Sequence, residues 1–155
     1  MADITSNPTI RNVLWTGNNI VEFTATTALT AGQVVAFAAT GVSDAVIPAI
    51  KATTGQPIGV ALYSVAAGAM AGIAMDGCIV YVANAESDAD IDAGDMVEFN
   101  DNATAPGTVS TAPDVVAAAV AVVKYVIGYA LEPILRSTTG RIMISAGLYT
   151  TVNNA

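Results

Sequence analysis

The sequence predicts a mainly β protein: a compact barrel- or sandwich-like domain built from two related halves, with an extended N-terminal arm. Three observations carry that expectation. Apolar residues fall in short runs rich in Val, Ile, Tyr and Phe, each bounded by Gly, Asp, Asn or Pro, which is the pattern of strands and turns. One ordered set of short motifs occurs twice. The residues available for a core are small, with 30 Ala and 19 Val against nine aromatics. Small and β-branched side chains suit closely layered strands better than bulky helix packing. A chain of 155 residues is long enough for one domain that buries roughly 68–70% of its unfolded surface.

Residues 1–20 read as the arm. Pro8 and several Asn and Thr separate isolated apolar residues (Ile4, Ile10, Val13, Leu14, Trp15), and the polar, acidic start "MADITSNPT" lacks the features of a secretory signal. Residues 21–155 read as a single β-rich domain with an internal repeat over about 27–83 and 89–152. "TALTAGQVVAF" (27–37) is echoed by "ADIDAGDMVEF" (89–99), and "PIGVAL" (57–62) by "VIGYAL" (126–131). "GIAMDG" (72–77) is echoed, with a small shift, by "GRIMISAG" (140–147). Two copies are too few for a solenoid, which needs about three. The strands expected in order are "QVVAF", "GVALYSV", "CIVYVA", "MVEF", "YVIGYAL" and "RIMIS". In both copies the Ala-Gly ahead of the "xxVxF" strand sets a turn in which Gly supplies a positive φ. Residues 100–113, "NDNATAPGTVSTAP", read as a turn-rich insertion. In 113–126, "PDVVAAAVAVVKYV", Ala favours helix and Val favours strand; the expectation is a strand with one helical turn at its start.

Charge excludes several classes. Thirteen acids face five bases, for a net charge of −8 and a pI near 4.1. Arg11, Lys51, Lys124, Arg136 and Arg141 are scattered, whereas nucleic acid requires clustered cations that release counterions. Anionic membrane surfaces are disfavoured for the same reason. Residues 52–75 are uncharged and contain Gly68-x-x-x-Gly72, a spacing found in packed transmembrane helices. Pro57 and the glycines at 55, 59, 68 and 72, with Gly77 just beyond, punctuate that run, and its echo carries Glu132, Arg136 and Arg141, so it reads as strands and turns.

Catalytic constellations are equally scarce. The chain has no His, which removes Ser–His–Asp triads, Cys–His pairs and the usual zinc sites. Cys78 is the single cysteine, inside the apolar "GCIVYV", and reads as a core thiol. "GAMAG" (68–72) lacks the Lys of a phosphate loop. Glu132, beside Pro133, reads as a strand-end residue. Asp88, Asp90 and Asp92 have calcium-loop spacing, but Gly94 and Glu98 each miss their places by one. The first copy builds the same turn as "TTALTAGQ" without an acid, so a metal-free turn is the expectation and a calcium site the alternative. Neither cofactor nor enzymatic activity is expected.

The stretch "PIGVALYSVAAGAMAGIAMDGCIVYVANAESDADIDAGDMVEF" (57–99) resembles the head decoration, or capsid cement, proteins of tailed bacterial and archaeal viruses. The resemblance lies in the order of Ile58–Ala61, Ala66–Gly68, Gly77–Val82 and Ile91–Val97, followed by "VIGYALEP" and Ile142–Ile144, across most of residues 29–148. It implies a compact β-fold that assembles as homotrimers on the outer capsid surface of the virion. There it would clamp neighbouring major capsid subunits and strengthen a shell pressurised by DNA, with neither nucleic acid nor membrane as partner. The arm lies outside the resemblance. Its own composition nominates Ile4, Ile10, Arg11 and Trp15 as capsid contacts, since Trp and Arg are favoured at interface centres; the alternative is a Trp folded back over its own barrel. A carbohydrate- or surface-binding module of fibre or adhesin type is the rival function.

Overall fold

A computed structural model describes residues 13–38, 45–49, 56–84, 89–99, 107–111 and 122–151. These residues form eleven strands. In the first half they are β1 (Leu14–Thr16), β2 (Ile20–Ala25), β3 (Val34–Phe37), β4 (Ala45–Pro48), β5 (Pro57–Ala61) and β6 (Met70–Ala74). The second half holds β7 (Ile79–Ala83), β8 (Met96–Phe99), β9 (Val109–Thr111), β10 (Val122–Ala130) and β11 (Thr139–Thr151). The protein is mainly β, as its sequence predicts.

β2 to β6 close into a barrel in the order β2-β4-β3-β5-β6, and the remaining strands form a six-stranded sheet, β1-β7-β11-β10-β8-β9. The two follow the same circuit. β3 pairs antiparallel with β4 and β5 as β8 pairs with β9 and β10, and β2 pairs with β6 as β7 pairs with β11. They differ in how the circuit ends. A parallel ladder, Thr24 opposite Ala45 and Ala25 opposite Val46, closes the barrel, whereas a single parallel bridge between Asn84 and Val109 returns β9 to the end of β7. The halves therefore do not share one barrel: each runs its own five-strand circuit.

Hydrogen bonds repeat bond for bond. Gly32 N–H donates to Ala61 O and Ala61 N–H to Gln33 O; in the second half Gly94 donates to Ala130 O and Ala130 to Asp95 O. Leu29 and Val65 exchange both backbone bonds, as do Ile91 and Ile134. Gly32 and Gly94 hold φ of 85° and 92°, the left-handed region that glycine enters without steric cost. The echo of "GIAMDG" is offset by one place from the sequence reading. Leu62 N–H donates to Gly72 O and Leu131 N–H to Arg141 O, so backbone pairing matches Gly72 with Arg141 and not with Gly140.

Core composition follows from barrel width. A five-stranded barrel has a narrow interior, and Ala25, Val35, Val46, Ala61 and Ala71 fill it together with Phe23, Leu29 and Ile73. Neighbouring positions in the same strands, Val34, Ala36, Val60 and Ala74, belong to a second cluster with Val80, Val97, Phe99, Ile127, Ile134 and Ile142 of the other half. Strand alternation thus lets one barrel wall serve two cores. Two segments that look peripheral in the sequence carry edge strands of the sheet. Leu14–Thr16, within the expected arm, is β1, and Val109–Thr111, within the expected insertion, is β9. Gly107 binds that insertion to the barrel by accepting from Val34 N–H and donating to Ala49 O. Of the stretch 113–126, residues 122–126 are strand, and 113–121, with the helical turn expected at its start, lie outside the described residues.

Candidate interaction surface

The outer face of the six-stranded sheet is set by register. Ile79 lies opposite Met143, Met143 opposite Tyr129, and Tyr129 opposite Met96, which makes one row across four strands. Met143 and Tyr129 are 41% and 44% exposed, and Ile79 and Met96 are half-buried. Their neighbours Val80, Ile142, Ala130 and Val97 point the other way into the core. A sheet with one wet face usually alternates apolar-in and polar-out. Here the outward row is apolar as well.

Trp15 joins this face through a register shift. Leu14 pairs with Val80 and Thr16 with Ile79, which leaves Trp15 as the extra residue of β1. Such irregularities re-aim side chains. Leu14 packs against the core, while the Trp15 ring meets Tyr81 edge-on at 6.1 Å and 76° and stays 57% exposed. Across the neighbouring strand, Arg141 lies opposite Tyr81, and its guanidinium sits 4.6 Å from the Trp15 ring centroid.

Glu132 fixes Arg141 from the other side. Its Oε2 accepts from Arg141 Nη2 at 2.8 Å and Nε at 3.1 Å, and its Oε1 accepts from the Arg141 backbone N–H at 2.9 Å. The side-chain bond from Arg141, and then the backbone bond, hold the Glu132 carboxyl below the usual carboxylate range. The same bond raises the Arg141 pKa. The matching place in the first half is Tyr63, whose hydroxyl accepts from Gly72 N–H at 2.9 Å. One half closes this turn with a tyrosine hydroxyl. The other closes it with a carboxylate that also orients a cation over an indole.

The other sequence candidates fall elsewhere. Ile4, Ile10, Arg11 and Asp88 lie outside the described residues. Asp90 Oδ1 accepts from Arg136 N–H at 2.9 Å, and Asp95 Oδ2 accepts from Asp92 N–H at 3.1 Å. In the first half the Gln33 side-chain oxygen accepts from Thr30 N–H at 2.8 Å, so an amide does there what the Asp95 carboxylate does here. Asp95, which the calcium spacing passes over, is the acid that closes the turn. Among the described residues no group of three or more acids or cysteines is placed to hold a metal ion, and no helix is long and apolar enough to cross a membrane. Cys78 is buried, with its thiol 3.5 Å from Asn19 O. Arg141 and Met143 are outward residues that the sequence does not single out as contacts, and its tyrosines, Tyr81 and Tyr129 among them, read there as strand packing with a sugar-binding platform as the alternative. The signal for Tyr81, Arg141 and Met143 is the bulky residue at every second place of "IVYVA" and "RIMIS".

A doubled β scaffold thus presents a Trp–Arg–Tyr cluster beside an apolar row on one outer face. The chain belongs to the phage cement protein family, whose model matches residues 15–145. Membership gives it a capsid-associated structural role, and the family is not one of enzymes. The fold is similar to that in the crystal structure of the head fiber gp8.5 N base of bacteriophage phi29. That match has 18% sequence identity and a TM-score of 0.53, and covers 81% of this chain and 92% of that one. No curated protein matches the sequence.

Proposed function

We propose that the protein is a decoration protein: it binds the outer surface of a viral capsid as a homotrimer, contacts the major capsid protein, and stabilises the shell. The observation that carries this reading is the outward cluster of Trp15, Tyr81 and Arg141 beside Tyr129 and Met143, on a chain of the cement family. Aromatic and Arg side chains held in place before contact lose little entropy on binding and supply most of the energy of an interface. Three linked copies convert modest patches into durable attachment through effective concentration. Ile4, Ile10 and Arg11 precede β1 in sequence, and the proposal extends the contact to them, with the arm adding a strand to a capsid sheet edge. Net negative charge suits the outside of a shell better than the side that faces DNA.

Deletion of residues 2–12 tests the arm. Weaker decoration of capsids by the shortened protein supports its role, and unchanged affinity removes it. A second reading, carbohydrate binding, is favoured by one feature: an open cleft of about 470 Å³ whose lining includes Phe37, Gln56, Met75 and Asp76. Phe37 is 50% exposed and meets Phe23 edge-on, so it offers a ring face beside polar groups. Glycan-array binding that is lost in Phe37→Ala would favour that reading over the first.

A further inference from the structure

β10 and β11 outrun the sheet that contains them. β8 leaves β10 at Val126, opposite Glu98, and β7 leaves β11 at Met143, opposite Ile79. Beyond those points Val122 to Tyr125 pair with Leu148 to Thr151, and among the described residues with no other strand. Among the described residues the result is a two-stranded ribbon with no further strand along either outer edge. An isolated two-stranded ribbon is marginal in water, and unpaired edges template pairing with another chain. Proteins blunt such edges with charge, bulges or proline. Val122–Tyr125 and Leu148–Thr151 carry neither proline nor acid, Lys124 is their one charge, and the register shift of β10 lies below them, between Val126 and Gly128.

The charge pattern points to the partner. The chain carries eight net negative charges, yet no acid occurs from Val115 to Leu131 or anywhere after Glu132. Copies of an acidic protein repel one another, so a contact between copies is cheapest where acids are absent. We infer that the ribbon of β10 and β11 is the surface through which copies of this chain pair with each other, edge to edge, by backbone hydrogen bonds. This inference rests on the homotrimer reading and adds where the copies meet. It also separates two tasks: the ribbon joins copies, and the outer face around Trp15 is left for the shell.

Sedimentation equilibrium of the full chain tests it, with Val123→Asp and Thr150→Asp placing acid on paired positions of the ribbon. Thr139→Asp, at the exposed far end of β11, is the control. The expected result is an oligomeric wild type and control, with association of both ribbon variants weakened by at least about tenfold. Hydrogen exchange on the unmodified protein covers the case in which a ribbon variant misfolds: amides of 122–125 and 148–151 should be protected at high concentration and lose protection on dilution. An oligomeric wild type whose ribbon variants associate equally well, or whose ribbon protection ignores dilution while the oligomer dissociates, overturns the ribbon and leaves the trimer standing. A wild type that stays monomeric at every concentration overturns both.

Discussion

Arg141 and Trp15 come from strands that are not neighbours, yet the guanidinium lies 4.6 Å from the indole centroid. β7 runs between them, and Tyr81 on that strand touches the indole edge-on. The contact depends on the register shift in β1 and on Glu132, which anchors the guanidinium by two nitrogens and the backbone N–H. The outcome is a preformed outward cluster whose two long side chains already hold each other in place, which lowers the ordering cost of binding.

Acid should loosen this cluster. The bonds from Arg141 lower the Glu132 pKa in the folded protein, so folding favours the ionised carboxylate. Its contribution is fully present above the ordinary Glu pKa of about 4.3 and is lost as pH falls through the lower folded value. Glu132→Gln should therefore melt below wild type near pH 7, by no more than about 2–4 °C for a half-exposed pair. The two melting curves should converge in acid. Thermal melts of both proteins between pH 3 and 7 check this, and a gap that widens as pH falls contradicts it.

Gly59 and Gly128 hold matching places in β5 and β10. A Cβ on Gly59 would run into the Ala74 carbonyl oxygen, and one on Gly128 into that of Met143. Backbone on the facing strand cannot swing aside as a side chain does. Gly59→Ala and Gly128→Ala should each cost about 1–3 kcal/mol or more, read by urea denaturation. If either is neutral, the two strands are not packed at this separation.

Ser137 has φ of 60°, while Gly68, at the matching turn of the first half, has φ of 83°. Ala69 N–H donates to Ala66 O in one turn and Thr138 N–H to Leu135 O in the other. A non-glycine residue in the left-handed region costs about 1–2 kcal/mol, part of which glycine returns through its freer unfolded chain. Ser137→Gly should stabilise the protein by about 0.5–1 kcal/mol, and Gly68→Ser should destabilise it by a similar amount. Equal signs for the two changes in chemical denaturation would contradict the equivalence of the turns.

Calcium should not matter to the fold. Asp90 and Asp95 carboxylates already accept turn N–H groups, and the matching first-half turn forms with Gln33 in place of Asp95. A ligand specific to the native state at a hundred times its Kd adds about 2.7 kcal/mol, which is several degrees of Tm in a chain of this size. Melts with millimolar calcium and with chelator should agree within about a degree.

Much of this architecture is legible in the sequence, and the reason is local. Short β-branched runs between Gly and Asp specify strands, and the Ala-Gly turn needs its glycine in both copies, so "LTAGQ" and "IDAGD" betray the duplication. Closure is not legible, because the β2–β4 ladder and the Asn84–Val109 bridge join residues far apart whose identities carry no pairing code. Matching glycine to glycine misaligns the last strands, because hydrogen bonding at that turn depends on Tyr63 and Glu132, not on Gly140. Trp15 stands out by residue type alone. Met143 and Tyr129 do not, since period-two reading cannot say which side faces out when both sides are apolar.

The most direct test is co-sedimentation of the purified protein with decoration-free capsids of its virus, comparing wild type with Trp15→Ala. The account predicts saturable binding of wild type and a loss of affinity of about thirtyfold or more in the variant, with both proteins equally folded and equally oligomeric. Wild type that fails to bind capsids, or a variant that binds as tightly, would contradict it.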